Sequence, residues 1–455
     1  NNLIIIVSKL YSMKLWEKKT VPEPSVIEFT SGNDRFTDLV LADWDIIGSM
    51  AHARMLNEAG LISYNESKEL IKALHTLFMK AADGSLRIGE GVEDIHSQIE
   101  MELTSMLGET GKKIHTGRSR NDQVLVDIRL YTRKVIDDTA KHVDRLFYQL
   151  LSLSEQYKSI LIPGYTHMQP AMVSSFGLWF GSYAESLADD ILLLSAARSL
   201  NNRNPLGTGA GYGSALPLKR RITTELLEFD DLLYNSAYAS LNRGKAELAS
   251  ASALASVAQT LSRFAMDMCL FMTAEFRFID FPDEYITGSS IMPQKRNPDV
   301  FEIIRGKANL IQMLPAQVAS VVSGLPSGYN REFQLLKDLL FRAFNETREL
   351  LAVMSLMLNR IIVTEGITGK PLYNSIFSTE EVNRLVVKGV PFRDAYREVA
   401  GMIGTTPFKP SSPGDYSHEG SIGNLCNKEI EKIFSGRMKA FVSKSAYELA
   451  EKIMK

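Results

Sequence analysis

Three long stretches of this chain contain neither glycine nor proline, and along the first of them apolar residues recur every three or four positions. These stretches cover residues 118–162, 245–281 and 329–365. In the first stretch, the recurring apolar or neutral positions form one helix face: Val124, Ile128, Tyr131, Val135, Thr139, Val143, Leu146, Leu150 and Leu153. Because glycine and proline interrupt helices, we predict that all three stretches are helical and that the first spans roughly 60 Å.

The segments before and after these three stretches have a different pattern of residues. Residues 13–117 alternate short helical patterns with loops, and residues 366–455 carry loops rich in glycine, proline and serine. We therefore predict an all-α protein of three domains: an N-terminal helical domain (13–117), a central long-helix bundle (118–365) and a small C-terminal helical domain (366–455). The Ala- and Ser-rich residues 246–268 are expected at the bundle centre or at a subunit interface, and an ordinary buried helix is an equal alternative.

Composition and charge exclude several classes of protein. The net charge of −2 argues against a protein that binds nucleic acid through its phosphates. Cys269 and Cys426 lie far apart, which excludes a disulfide framework and suits a reducing compartment. The apolar run LIIIV near the N-terminus is far shorter than the roughly 20 residues of a membrane span. We expect a cytoplasmic protein without nucleic-acid or membrane partners, and we interpret residues 1–12 as an extension upstream of Met13.

Five polar stretches border the predicted helices and carry the candidate chemistry. They are DIHSQIE (94–100), GKKIHTGRSRNDQ (111–123), PGYTHMQP (163–170), TGSSIMPQKRNPD (287–299) and SGYNREFQLLKD (327–338). Arginine and amide groups before a helix suit carboxylates or phosphates. No histidine pair has the spacing of a metal site, and no dinucleotide, P-loop or serine-hydrolase motif occurs, so no metal is predicted.

Each polar stretch also has an ordinary structural interpretation. Asn121 or Asp122 is a candidate N-cap, and a loop histidine such as His167 is more often structural or solvated. The stretch 327–338, taken alone, suits a solvated helix face. A flexible loop capped by Asn297 or Asp299 would explain the glycine, serines and prolines of residues 287–299. It explains the cluster MPQKRN less well, so a functional interpretation is favoured there.

Taken together, HTGRSRNDQ, PGYTHMQP, TGSSIMPQKRNPD and GLPSGYNREFQLLKD resemble the argininosuccinate lyases, a branch of the fumarase/aspartase superfamily. The similarity extends over residues 43–396, from DWDIIGSMAHARML to VVKGVPFRDAY. It implies a mostly helical three-domain fold whose long central helices assemble a homotetramer, with active sites shared between three subunits. It also implies reversible cleavage of argininosuccinate to arginine and fumarate, the last step of arginine biosynthesis, without metal or organic cofactor.

The resemblance further implies residue roles. Ser289 is the expected base, with its alkoxide stabilised by loop N–H groups and Lys295, and His167 is the acid partner, oriented by Glu302. Which of Ser289 and His167 takes the carbon proton stays open. Lys295 and Asn297 are expected to bind the carboxylates and the charged intermediate. The other expected substrate contacts are Asn121, Thr166, Tyr329, Gln334, Lys337, Arg120, Ser119 and His96.

Three stretches depart from the family pattern: MQPAMVSS after His167, REFQ at 331–334, and the N-terminal substrate loop. That loop reads FTSGNDRF, with two extra residues, and its substrate contact is assigned to Ser31 or Asp34. Alternative functions are a lyase for an acylated relative of argininosuccinate, a superfamily lyase for adenylosuccinate, aspartate or malate, and a crystallin-like structural protein. HTGRSRND, together with intact Ser289 and His167, favours an active argininosuccinate lyase.

Overall fold

The computed structural model describes residues 23–89, 92–405, 408, 413–414 and 416–455, so the interpretation of residues 1–12 concerns residues outside these ranges. Helices dominate the described part, which confirms the all-α prediction. They are α1 (Pro24–Ser31), α2 (Asp34–Glu58), α3 (Tyr64–Ala82), α4 (Ile95–Leu107), α5 (Glu109–Lys112), α6 (Arg120–Gln156), α7 (Phe176–Asn201), α8 (Arg220–Leu226), α9 (Ser236–Leu241), α10 (Lys245–Met272), α11 (Asp299–Gln312), α12 (Leu314–Val322), α13 (Leu335–Leu358), α14 (Ser378–Val387), α15 (Phe392–Thr405), α16 (Asn427–Met438) and α17 (Ala446–Met454). Short 3₁₀ helices cover Lys113–His115, Asp283–Tyr285, Arg331–Gln334, Ile367–Gly369 and Pro371–Phe377.

The three stretches without glycine or proline each contain a long helix, namely α6, α10 and α13. Helix α6 has 37 residues and is therefore about 55 Å long. Its N-cap is Ser119, whose hydroxyl accepts the N–H of Asn121 while the Asp122 carboxylate accepts the N–H of Ser119. The prediction of Asn121 or Asp122 as the cap is therefore wrong, because Asp122 instead completes a capping box from inside the first turn.

Helix α10 lies at the centre of the packing within the chain. It contacts α7, α11, α12 and α13, and α6 packs against α7, α13 and α2. Buried alanines on α10, such as Ala251, Ala258 and Ala265, allow these neighbours to approach closely. Residues 246–268 thus form a buried helix that packs against four others within one chain, and their place at a subunit interface stays a prediction.

Three pairs of short strands lie between the helices. Strands β1 (Leu161–Thr166) and β2 (Gln169–Ser175) form an antiparallel hairpin; β3 (Arg203–Asn204) pairs with β4 (Asp231–Leu232) in parallel; and β5 (Ile279–Asp280) pairs with β6 (Ile362–Val363) antiparallel. The hairpin turn consists of His167 and Met168, both in the left-handed region with φ of 51° and 61°. Two successive positive φ angles are typical of the tight turn that joins twisted strands.

The C-terminal helix returns to the N-terminal part of the chain. Helix α17 packs against α2 and α3, and the Arg54 guanidinium donates to the carbonyl of Ile453 at 3.1 Å. The division into three domains stays a prediction. None of the described helices combines the length and the apolar character that crossing a bilayer requires.

One buried acid between α7 and α10 leads to a prediction about stability. Asp190 accepts hydrogen bonds from Ser256 and Thr260, and burial raises its pKa to about 6. Since the unfolded pKa is lower, ionisation destabilises the folded state as pH rises from about 4 to 6, and the cost persists above that range. We expect Asp190→Asn to raise the free energy of unfolding by about 1–3 kcal/mol at pH 8, and by less at pH 5.

Urea denaturation of both proteins at the two pH values measures this difference. Asp189→Asn is the matched control, because the Asp189 side chain is 80% exposed and its change should be small. An equal gain for Asp190→Asn at both pH values would show that ionisation of Asp190 is not the cause.

Candidate active site

A polar cavity of about 150 Å³ lies where the N-terminal ends of α2, α4, α6 and α13 converge. Eight residues singled out in the sequence line it: Ser31, Asp34, His96, Arg120, Asn121, Tyr329, Gln334 and Lys337. The structure therefore brings together candidates that are up to 306 positions apart in the chain, from 31 to 337. The cavity is smaller than the roughly 300–1,000 Å³ of a typical complete ligand site.

Lys337 in the first turn of α13 is a buried cation of the cavity. Its ammonium contacts Asp34 at 2.8 Å and Asp38 at 2.6 Å, and its side chain is only 6% exposed. Burial opposes the charge, but the two carboxylates outweigh it and raise the pKa of Lys337. Asp34 and Asp38 are four residues apart on α2, which places both on the face toward Lys337.

The residues before Lys337 attach the N-terminal segment to this wall. The Gln334 amide donates to the carbonyl of Thr30 at 2.8 Å, and Arg331 donates to the same carbonyl at 3.0 Å. Arg331 also pairs with Glu93 at 3.4 Å. The altered sequence REFQ thus forms a 3₁₀ helix that holds the C-terminal end of α1 against the cavity.

The start of α6 forms the opposite wall. Arg120 pairs with Glu93 at 3.0 Å and with Asp94 at 3.2 Å, and donates to the Ser97 hydroxyl at 2.8 Å. Asn121 lines the cavity beside it at a helix N-terminus, where the backbone N–H groups favour anions. Ser119 does not line the cavity, because its side chain caps the helix.

Five charged lining residues were given no role in the sequence analysis: Asp38, Glu93, Asp94, Arg243 and Arg331. The helical spacing of Asp38 from Asp34 was a signal that could have identified it. Arg243 is held by Glu247 at 2.9 Å and by the carbonyl of Phe333 at 3.1 Å, and no motif marks it. The cavity is lined by equal numbers of positive and negative side chains, which are Arg120, Arg243, Arg331 and Lys337 against Asp34, Asp38, Glu93 and Asp94.

The loop that contains Ser289 lies outside this cavity. The Ser289 hydroxyl accepts two backbone N–H groups, from Met292 at 3.2 Å and from Ile291 at 3.4 Å. The Asn297 amide closes the loop by donating to the carbonyl of Gly288 at 3.1 Å. A hydroxyl oxygen that receives two N–H groups is better able to carry negative charge than a free one.

The neighbouring candidates are exposed. In the part of the chain that the structure describes, Lys295 has no ion pair, whereas Arg296 fixes the loop by pairing with Asp280 at 3.1 Å and with Asp283. Thr166 and His167 lie at the exposed hairpin tip. Glu302 is exposed in the first turn of α11, and no ion pair joins it to His167 among the described residues. One chain thus presents two separate sets of candidate residues.

Comparison with known proteins defines the class of this chain. Residues 17–312 match the lyase family. In fold, the chain is similar to an EDDS lyase variant with bound fumarate (TM-score 0.73, 20% identity, 96% of each chain covered). It is also similar to the class II fumarase of Schistosoma mansoni (TM-score 0.66, 16% identity, 87% of this chain and 98% of that one). The fold is that of the fumarase-like lyases.

Proteins of similar sequence identify the family within this class of lyases. The argininosuccinate lyase of Bacteroides fragilis is 49% identical over 97% of this chain and 99% of its own length. The argininosuccinate lyase of Thermotoga neapolitana is 37% identical over 86% of this chain and 99% of its own. The chain belongs to the argininosuccinate lyase family.

Proposed function

We propose that this protein is an argininosuccinate lyase, which cleaves argininosuccinate reversibly to arginine and fumarate in the last step of arginine biosynthesis. The reaction is that of a carbon–nitrogen lyase. The observation that carries the proposal is the cavity itself, in which Asn121, Tyr329, Gln334 and Lys337 meet although they come from distant segments. The near full-length similarity to argininosuccinate lyases supports the choice of substrate.

The charges of the cavity suit this substrate. Argininosuccinate carries three carboxylates, one ammonium and one guanidinium group, and a cavity that contains both cations and carboxylates can pair with each of them. Lys337 faces two carboxylates, Asp34 and Asp38, so negative charge is in excess at that end. This excess suits the free α-ammonium of the substrate and disfavours an acylated relative, which lacks that charge.

The elimination requires a base at carbon and a site for the charge that develops. We assign Ser289 as the base, because the N–H groups of Ile291 and Met292 converge on its hydroxyl. Lys295 and Asn297 would bind the carboxylate of the doubly charged intermediate, where preorganised cations and N–H donors contribute most. His167, oriented by Glu302, would give a proton to the departing guanidino nitrogen. Thr166 would contact the substrate beside it.

We further propose that the active site is completed by subunits of a homotetramer. The cavity is small and none of Ser289, Lys295, Asn297, Glu302, Thr166 and His167 lines it. Exposed residues on the hairpin and on the loop at 287–298 would therefore reach the cavity of a neighbouring subunit. Such an assembly explains why substrate-binding and proton-transfer candidates are separated within one chain.

The experiment that tests the function measures the ultraviolet absorbance of fumarate released from argininosuccinate by the purified protein. Adenylosuccinate, aspartate and an N-acylated argininosuccinate are the parallel substrates. We expect fumarate from argininosuccinate, with the other three slower by at least about 100-fold, because a lost ion pair or misplaced group costs that much in a specific site. Release from another substrate only, or from none, would contradict the proposal.

A further inference from the structure

Three titratable side chains from three helices meet beneath the cavity. Asp45 of α2, His96 of α4 and Asp127 of α6 place one nitrogen or oxygen atom each within 4.8 Å of one another. Asp45 and Asp127 are fully buried and His96 is 6% exposed. His96 lines the cavity, whereas the two acids lie behind it. The positions are too far apart in the sequence for any motif to join them.

Asp45 is the acceptor at the centre of this cluster. His96 Nδ1 hydrogen-bonds to Asp45 Oδ2, and the Gln123 amide donates to the same oxygen at 2.9 Å. Asp127 Oδ2 lies 3.7 Å from the same Nδ1. Both His96 contacts therefore use Nδ1, which leaves Nε2 for the cavity. Burial opposes the charges, but the ion pair with His96 lowers the pKa of Asp45 and raises that of His96.

Asp127 has a different environment. No donor among the described residues reaches either of its oxygens, and both are buried. One of its oxygens lies within 4.8 Å of an oxygen of Asp45. Burial, followed by the charge of Asp45, raises the pKa of Asp127 well above its usual value. Two buried carboxyl groups this close together share one proton, because ionising both is unfavourable. The proton is expected on Asp127, since Asp45 has the cationic partner.

We propose that Asp45 and Asp127 are positioning residues that hold His96 as a carboxylate-binding donor in the cavity. Neutral Asp127 donates its proton to Asp45, and the Asp45 carboxylate accepts Nδ1–H of the His96 imidazolium. The imidazole plane is thereby fixed and Nε2–H points to the substrate. This inference rests on the proposed function, because the carboxylate that His96 would bind belongs to the tricarboxylate substrate.

The same three side chains are of types that also bind a divalent cation. The geometry favours the hydrogen-bonded arrangement, because Asp45 and His96 are already in direct contact and Gln123 directs an N–H at the same oxygen. The guanidinium of Arg118 adds positive charge nearby and donates to Ser49, the neighbour of Asp45. The two arrangements differ in what they require at position 127. The hydrogen-bonded arrangement needs a hydrogen-bond donor there, whereas a cation site needs a carboxylate.

The experiment compares Asp127→Asn with Asp127→Leu in the full-length enzyme. An asparagine amide can replace the donated proton, so we expect kcat/KM of Asp127→Asn within about threefold of wild type. Leucine has similar size but no donor, and we expect a loss of about 10- to 100-fold, as for other residues that orient a binding group. Asp45→Asn should raise KM more than it lowers kcat, because a ground-state contact is weakened.

Circular dichroism and thermal unfolding identify variants that fail to fold. If folded Asp127→Asn loses as much activity as Asp127→Leu, the carboxylate itself is required and the positioning role is wrong.

Nitrogen NMR of histidine-labelled protein, with His96→Gln for assignment, gives a readout independent of activity. Both nitrogens of His96 should be protonated in wild type and in Asp127→Asn, and one should lose its proton in Asp45→Asn. If the wild-type protein gives this spectrum but has no lyase activity, the proposed function is wrong and the positioning of His96 still holds.

Discussion

Ser289→Ala is expected to lower kcat by about 10²–10⁴-fold, the range that a positioned proton-transfer group contributes. The substitution removes the hydroxyl that accepts the N–H groups of Ile291 and Met292, without altering the cavity that contains Lys337. Substrate binding should therefore change little. Steady-state kinetics with argininosuccinate and equilibrium binding to the inactive variant measure the two effects separately.

Ser290 provides the matched control for this prediction. It is the adjacent serine, it is exposed, and no role is assigned to it. Ser290→Ala should retain most of the activity, which would show that the loop tolerates the loss of one hydroxyl. A Ser289→Ala enzyme with unchanged kcat and raised KM would instead make Ser289 a binding residue.

Mixing two inactive variants should restore activity if sites are shared between subunits. We propose unfolding and refolding His167→Asn together with Ser289→Ala, each of which is expected to be nearly inactive alone. With equal amounts and random assembly, about one quarter of the sites would receive His167 and Ser289 from unaffected subunits. Activity in the mixture should approach that fraction of the wild-type value.

Each variant taken through the same procedure alone is the control, since no site can then regain its missing residue. Native mass spectrometry establishes that mixed assemblies form. If mixed tetramers are present and no activity returns, His167 and Ser289 of one site come from the same chain, and the shared-site arrangement is wrong.

Local patterns predicted the helices well and their ends less well. The absence of glycine and proline correctly predicted where α6, α10 and α13 lie, because no residue in these stretches interrupts a helix. It overestimated their lengths, since β5 and β6 follow α10 and α13 without any such residue. The β1–β2 hairpin was not predicted, because its turn consists of His167 and Met168, neither of which is a usual turn residue.

The site was predictable in parts. Tyr329, Gln334, Lys337 and Asn121 were assigned through the resemblance, and the structure brings them into one cavity. From residue types alone, each polar stretch that contains these residues also had an ordinary structural interpretation. The roles of Asp45 and Arg243 depend on contacts between distant segments, and such contacts leave no local pattern. Only the resemblance, which implies active sites shared between subunits, indicated that Ser289 and Lys337 would be apart within one chain.

The hairpin tip restricts which mutations are accessible at the proposed acid. His167 has φ of 51°, a conformation that costs most residues about 1 kcal/mol and that asparagine, aspartate and glycine adopt more readily. Evolutionary replacement of this histidine is thus restricted to a few residues that preserve the turn but cannot exchange a proton near neutral pH. A lineage that abandoned catalysis could therefore keep the fold unchanged, and its loss of function would show as a single conservative-looking replacement at this position.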